Sequence, residues 1–342
     1  MLFRQFFDIT SSTYTYLIAN KKGAEACIID PVLENVPNYL KTIQDLDLKL
    51  VKVIDTHVHA DHVSGISKLR DKTQCITCMG KSQNASEIVS MEVNDNEKFK
   101  IGDLELRALF TPGHTDDSYC FLLDDKIFTG DTLLIGGTGR TDFQNGNAED
   151  QYNSLFNVIL KFDDRILVYP AHDYKGETVS TIGFERKTNP RLQVKSKQEY
   201  VDLMNSLNLP NPKLMDIAVP KNKKHGVPLE IQMQSNGINV QQLKTMIDQK
   251  VIKLIDVREN FEIQRDGSIE NSIHVPYAQI ENFFKNIELP QPSEKFVLYC
   301  HTGQRTYLAL QKLKNGNIHH LVGGILNWIE AGEKVHYHHH IN

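Results

Sequence analysis

Seven residues near the start of the chain carry an unusual density of metal-binding chemistry. Thr56-His57-Val58-His59-Ala60-Asp61-His62 places three imidazoles and a carboxylate within six positions, directly after an apolar run over 48–54 that predicts a buried strand. Histidine and aspartate are costly to bury unless paired or bound to a cation, so a metal centre is the economical use of such a cluster at a strand end. Three later positions repeat the arrangement. A strand predicted over 104–110 runs into Pro112-Gly113-His114, one over 126–129 delivers Gly130-Asp131, and one over 165–169 delivers Pro170-Ala171-His172. Each alone has an ordinary alternative: His114 as a turn residue, Asp131 as a helix cap, His172 as a core histidine. Loops at one edge of rigid sheets converge, so together these segments predict one assembled site.

A second centre is predicted far from the first. The apolar stretch 296–299 reads as a buried strand that empties into Cys300-His301-Thr302-Gly303-Gln304-Arg305, and 306–314 reads as a helix. A cysteine at a strand end, in a Gly-containing loop that enters a helix, meets backbone N–H groups and the positive end of a helix dipole, both of which favour thiolate. Arg305 adds to the same effect. Cys300 and Arg305 are therefore the candidate catalytic residues of this half.

The elements that must hold these centres follow from periodicity. Strands are predicted over 1–7, 13–19 and 24–30, the last two joined by the hairpin-forming Asn20-Lys21-Lys22-Gly23, and a helix over 36–46 with Pro37 in its first turn. The segment 63–70 after the histidine cluster predicts a further helix. Cys75-Ile76-Thr77-Cys78 has redox or zinc spacing but no second pair, and a core strand accounts for it. Residues 186–228 are rich in Lys, Asn and Pro, and 221–228 is a plausible hinge. Beyond it, a helix over 240–247, a strand over 253–257 and a helix over 281–286 alternate as in a small parallel α/β domain.

Composition bounds the function. The 342 residues suffice for about two domains. With 38 basic and 43 acidic residues the net charge is -5, which disfavours nucleic acid as a partner. No apolar run approaches the roughly 18 residues of a membrane span, and residues 1–20 alternate like a strand rather than a targeting signal. Five scattered cysteines do not form a disulfide framework, and a cytoplasmic protein with free thiols is expected. Tyr337-His338-His339-His340 reads as a solvated tail.

With its motif His57-x-His59-x-Asp61-His62, then His114, Asp131 and His172 in that order, the first half resembles the metallo-β-lactamase superfamily. The resemblance implies an αββα sandwich over 1–228, including the linker-like 186–228. In its dinuclear hydrolases, such as glyoxalase II, His57, His59 and His114 would bind one metal, Asp61, His62 and His172 a second, and Asp131 would bridge them. Gly136-Gly137-Thr138-Gly139-Arg140-Thr141-Asp142-Phe143-Gln144 and Asn189-Pro190-Arg191-Leu192 are similar to the persulfide dioxygenase branch. That branch implies a single Fe(II) on His57, His114 and Asp131, with His59, Asp61, His62 and His172 orienting ligands and waters, and with Arg140 and Tyr174 meeting glutathione. Thr138 stands where relatives often carry cysteine.

Residues 229–342 resemble the rhodanese family through Leu254-Ile255-Asp256-Val257-Arg258, Ile273-His274-Val275-Pro276, the Cys300 loop and Leu321-Val322-Gly323-Gly324 with Trp328. The resemblance makes Cys300 the carrier of a persulfide sulfur. Together the two resemblances imply oxidation of glutathione persulfide with O2 to sulfite and glutathione, joined to sulfur transfer between thiosulfate and glutathione. Nucleic acid and membrane are not expected partners, whereas a homo-oligomer is compatible with the sequence. The alternative is a dinuclear Zn(II) thioester hydrolase of the glyoxalase II type joined to a sulfur-carrier domain.

Overall fold

A computed structural model describes residues 1–83, 85–212, 214–287 and 295–337, so the tail from His338 onward lies outside the described residues. The chain divides into two compact units, Met1–His225 and Gly226–Asn342.

Among the described residues of the first unit, strands form two six-stranded sheets. The first runs β1 (Leu2–Asp8), β2 (Thr13–Ala19), β3 (Glu25–Ile29), β4 (Lys49–Ile54), β5 (Ile76–Gly80), β6 (Met91–Val93), its spatial order matching the sequence. The second contains β7 (Lys98–Ile101), β8 (Leu104–Phe110), β9 (Tyr119–Leu123), β10 (Lys126–Gly130), β11 (Leu167–Pro170) and β12 (Ser180–Thr181), again neighbouring in sequence order. Side chains alternate along each strand, so each sheet has two faces to cover. Phe3 and Tyr16 of the first sheet meet Phe128 and Tyr169 of the second, with ring centroids as close as 4.8 Å. The opposite faces receive helices. Leu17, Ile28 and Val53 pack with Val36, Tyr39 and Ile43 of the helix Val36–Asp45 and with Ile66 and Leu69 of the helix Ile66–Thr73. Leu109, Ile127 and Val168 pack with Leu155, Tyr200 and Met204. The layers are therefore helix, sheet, sheet, helix, and every residue of β2 is buried because both of its faces are covered.

Two local expectations need correction. The helix after the histidine cluster starts at Ile66 rather than at 63. Ser64 is held out of it, its N–H donating to Asn222 and its hydroxyl to Asp55. Residues 186–228 are also not linker-like throughout. They contain the helices Lys197–Asn205 and Met215–Asn222, which bury Tyr200, Met204, Ala218 and Asn222. Lys221, Lys223 and Lys224 are exposed while Asn222 and His225 between and after them are buried, so the chain stays packed up to His225, and the boundary between the two units falls just after it, inside the expected 221–228 hinge. Cys75 and Cys78 are buried beside and within β5, as a core strand requires.

The second unit holds a five-stranded sheet in the order β13 (Gly237–Ile238), β17 (Ile318–Leu321), β16 (Lys295–Tyr299), β14 (Ile252–Asp256), β15 (Ile273–His274), counting the described residues. All its pairings are parallel. Leu254, Val297, Leu321, Ile325 and Trp328 form its core. Among the described residues no helix is long and apolar enough to cross a membrane.

Candidate metal centre and cysteine loop

The histidine cluster follows β4, His114 follows β8, Asp131 follows β10 and His172 follows β11, and the structure brings all four segments together. One donor atom from each of His57, His114 and Asp131 lies within 4.8 Å of the others, all three residues being buried. His59, Asp61 and His62 form a second group that meets the same distance limit.

Hydrogen bonds fix which nitrogen each imidazole presents. The Thr56 hydroxyl donates to Asp30 Oδ2 at 3.0 Å, so towards His57 Nδ1, 2.9 Å away, it acts as acceptor. That leaves His57 Nε2 without its proton. His114 Nδ1 donates to the Arg140 carbonyl at 2.7 Å, which leaves its Nε2 bare, 3.5 Å from Asp131 Oδ2. His59 Nε2 faces Asp30 Oδ1 at 3.0 Å and His62 Nδ1 faces Asp61 Oδ2 at 2.9 Å, while His59 Nδ1 and His62 Nε2 are buried with no partner. An imidazole anchored through one nitrogen, with its second nitrogen buried and free to face an ion, is the arrangement of a metal ligand. The residues present therefore fit a metal ion.

His172 differs. Its Nδ1 lies 2.6 Å from Asp131 Oδ1 and its Nε2 2.8 Å from Asp61 Oδ2. Burial alone would lower its pKa, but the two carboxylates outweigh burial and hold it well above the ordinary histidine value. Asp131 and Asp61 are correspondingly held low, burial being overcome by His172 and the other histidines.

A cavity of about 340 Å³ opens on this cluster. Its walls include Leu134, Ile135 and Phe143, the rings of His172 and Tyr174, which stack in parallel at 6.1 Å, and the cations Arg140, Lys175 and Arg191. Arg140 lines the cavity with its donors engaged, by Asp142 at 2.6 Å through two nitrogens and by the carbonyls of Pro210 and Leu209. Tyr174 is 71% exposed at the cavity wall. Gly139 is required by close approach, because a Cβ there would lie 2.7 Å from His114 Nδ1 and 2.3 Å from the Asp131 carbonyl oxygen.

Several participants escape the histidine pattern. Asp30 holds both Thr56 and His59, and the Thr13 hydroxyl lies 3.1 Å from Asp61 and from His172. Asp30 stands directly after β3, the same strand-end signal that marks His114 and Asp131. Thr13, inside an apolar strand, gives no such signal.

In the second unit Cys300 follows β16 and is fully buried, its Sγ 3.9 Å from the Thr306 hydroxyl. Gly303 adopts φ +79 at the start of the helix Gln304–Leu313, and a Cβ there would lie 2.1 Å from Gln232 Oε1. Gln232 in turn donates to the Thr302 carbonyl and accepts from the Gly323 N–H, bracing the loop. Arg305 forks onto Glu262 at 2.7 and 2.5 Å, both side chains having no exposure. The guanidinium offered by the sequence as thiolate support thus already faces a carboxylate.

Comparison with known proteins finds a family match in each unit. Residues 9–172 match the metallo-beta-lactamase superfamily and residues 239–331 the rhodanese-like domain. Over 230 residues, 66% of this chain, it is 44% identical to persulfide dioxygenase ETHE1, mitochondrial, of Homo sapiens, and covers 89% of that protein. The crystal structure of ETHE1 from Myxococcus xanthus is 50% identical with a TM-score of 0.63, covering 66% of this chain and 99% of that one. A metallo-beta-lactamase structure from Staphylococcus aureus subsp. aureus COL, 24% identical, covers 94% of this chain and 98% of its own with a TM-score of 0.61, a likeness of fold that extends through both units.

Proposed function

Because the chain belongs to the ETHE1 persulfide dioxygenase family of the metallo-β-lactamase superfamily and carries a rhodanese-like domain after it, we propose a joined activity in sulfur metabolism. The first unit oxidises glutathione persulfide, one persulfide, one O2 and one water giving glutathione, sulfite and two protons. The second transfers sulfane sulfur between thiosulfate and glutathione through Cys300. The compartment in this proposal is the cytoplasm, which suits five free cysteines, although the human relative is described as mitochondrial.

One observation carries the dioxygenase reading. His57, His114 and Asp131 group their donor atoms at the cavity, while both nitrogens of His172 are spent on carboxylates. These three residues would hold one Fe(II), which when bound supplies the O2 chemistry, and three protein donors leave room for small ligands. Thr56 and the Arg140 carbonyl set the tautomers of His57 and His114. His172 orients Asp131 and holds a proton between it and Asp61. Leu134, Ile135 and Phe143 exclude water from the sulfur, and Tyr174, Arg140 and Lys175 line the space for the glutathione portion. At Cys300 the thiolate attacks the outer sulfur of thiosulfate and sulfite leaves with the bonding pair. Glutathione thiolate then takes that sulfur and regenerates Cys300.

The buried, unpartnered nitrogens of His59 and His62 favour a second reading, a dinuclear Zn(II) thioester hydrolase. Elemental analysis of protein purified with iron available, paired with an oxygen-electrode trace on adding glutathione persulfide, separates the two. About one iron per chain with persulfide-dependent uptake is expected. About two zinc, a flat trace and hydrolysis of S-lactoylglutathione would replace the dioxygenase with the hydrolase.

A further inference from the structure

The loop that carries His57, His59, Asp61 and His62 lies between β4 and the helix Ile66–Thr73, outside regular structure. Its backbone N–H and C=O groups are therefore not satisfied by a ladder and must find partners elsewhere once buried. Three of them find the same one. The Asn222 amide donates through Nδ2 to the His59 carbonyl at 2.8 Å and to the His62 carbonyl at 2.9 Å, and its Oδ1 accepts from the Ser64 N–H at 2.9 Å. The second lone pair of Oδ1 faces His225 Nε2 at 3.1 Å. A carboxamide offers two donors and two acceptor sites, and here all four are used in a residue only 2% exposed.

Asn222 is itself anchored. It ends the helix Met215–Asn222, whose Ala218 is buried and whose Val219 packs against the core beneath the first sheet. Three residues on, His225 Nδ1 lies 3.1 Å from the Ser67 hydroxyl and the His225 carbonyl accepts from the buried Arg70 guanidinium. The helix that follows the histidine loop is thus tied to the same short segment, so the loop is gripped at its middle, its end and its exit.

We propose that Asn222 is a positioning residue of the metal centre, clamping the 59–64 backbone so that His59 and His62 hold their direction and His57 its distance from His114 and Asp131. No other side-chain type fits this place well. Aspartate would turn acceptors towards two carbonyls, and alanine would leave two buried carbonyls and one N–H unpaired. The proposal rests on the 57–62 loop being a metal centre and is independent of which metal or substrate is native.

The test uses the full chain loaded with Co(II), whose visible absorption reports ligand geometry, with release into excess EDTA followed by loss of that absorption. Asn222→Ala, folded as judged by near-UV circular dichroism, should release cobalt about 10-fold faster or more and show an altered cobalt spectrum. A purely structural role would lower the melting temperature without moving the spectrum. A folded Asn222→Ala protein with wild-type spectrum and release rate overturns the proposal. If Asn222→Ala does not fold, Asn222→Ser, which keeps one hydroxyl, replaces it, with intermediate release supporting the clamp and wild-type release overturning it. A wild-type chain that binds no cobalt would overturn both the clamp and the metal-centre reading beneath it, a result distinct from cobalt binding that ignores residue 222.

Discussion

The two candidate centres hang their key side chains on strand ends, yet they are assembled in opposite ways. The candidate metal centre gathers residues from four segments between 57 and 172, and its supports come from outside that span on both sides, Thr13 and Asp30 before it and Asn222 after it. The candidate cysteine centre is one loop, 300–305, braced by Gln232 and by the buried ion pair of Arg305 with Glu262. A dispersed site gains precise placement from rigid sheets but depends on many hydrogen bonds that leave no motif. A contiguous site carries its own geometry and concentrates its vulnerability in few contacts.

That contrast is broken most severely at the proposed metal ligands. His114→Ala removes a bare nitrogen that faces Asp131 and should weaken metal binding by more than about 100-fold, abolishing O2 uptake with glutathione persulfide while thiosulfate turnover at Cys300 persists. Loss of both activities in the folded variant would show that the centres do not operate separately. The reciprocal change, Cys300→Ser, should abolish sulfur transfer from thiosulfate to glutathione and leave oxidation of supplied persulfide at the wild-type rate. An unchanged thiosulfate assay would remove Cys300 from the chemistry.

Glu262→Gln probes the concentrated support of the second unit. It leaves the buried Arg305 guanidinium facing a neutral amide, and breaking such a pair costs about 3–5 kcal/mol. Urea unfolding should show a destabilised second unit beside an undisturbed first. In the wild type, burial would raise the Glu262 carboxyl, but Arg305 overcomes it and holds the group down at about 2. The stabilisation is therefore complete above the ordinary value of 4.5 and is lost as pH falls from there towards 2. Equal acid sensitivity of wild type and Glu262→Gln would contradict this.

The same contrast governs what the sequence reveals. His57, His59, Asp61, His62, His114, Asp131 and His172 are legible because chemistry-bearing types recur at strand ends, and the structure gathers them at one site. Cys300 and its loop are legible because they are contiguous. The layers follow from alternation, as in β2 and β8, whose full spans match their predicted runs. The segment 221–228 is legible in part: the boundary between the two units falls within it, after His225, but composition records its exposed lysines and not the buried Asn222 and His225 beside them. Arg305 is legible only in part. Its charge is evident, but the neutralising Glu262 lies 43 positions away, where no local pattern couples them.

The smallest expected effect lies at the cavity wall, where cations differ in availability. Arg140 is held by Asp142 and two carbonyls, and Arg191 by the Thr138 carbonyl and hydroxyl. Lys175 is exposed at the same wall, its Nζ 3.5 Å from the Gly136 carbonyl. An exposed ammonium that meets a substrate carboxylate contributes about 0.2–1 kcal/mol, which corresponds to at most about a 5-fold rise in KM for glutathione persulfide in Lys175→Ala. The turnover number should stay at its wild-type value, since the contact is the same in ground and transition states. Added salt should narrow the difference between the two proteins, because screening removes what the substitution removes. A KM insensitive to both the substitution and salt would take Lys175 out of substrate binding and leave the apolar wall and Tyr174 to hold the glutathione portion.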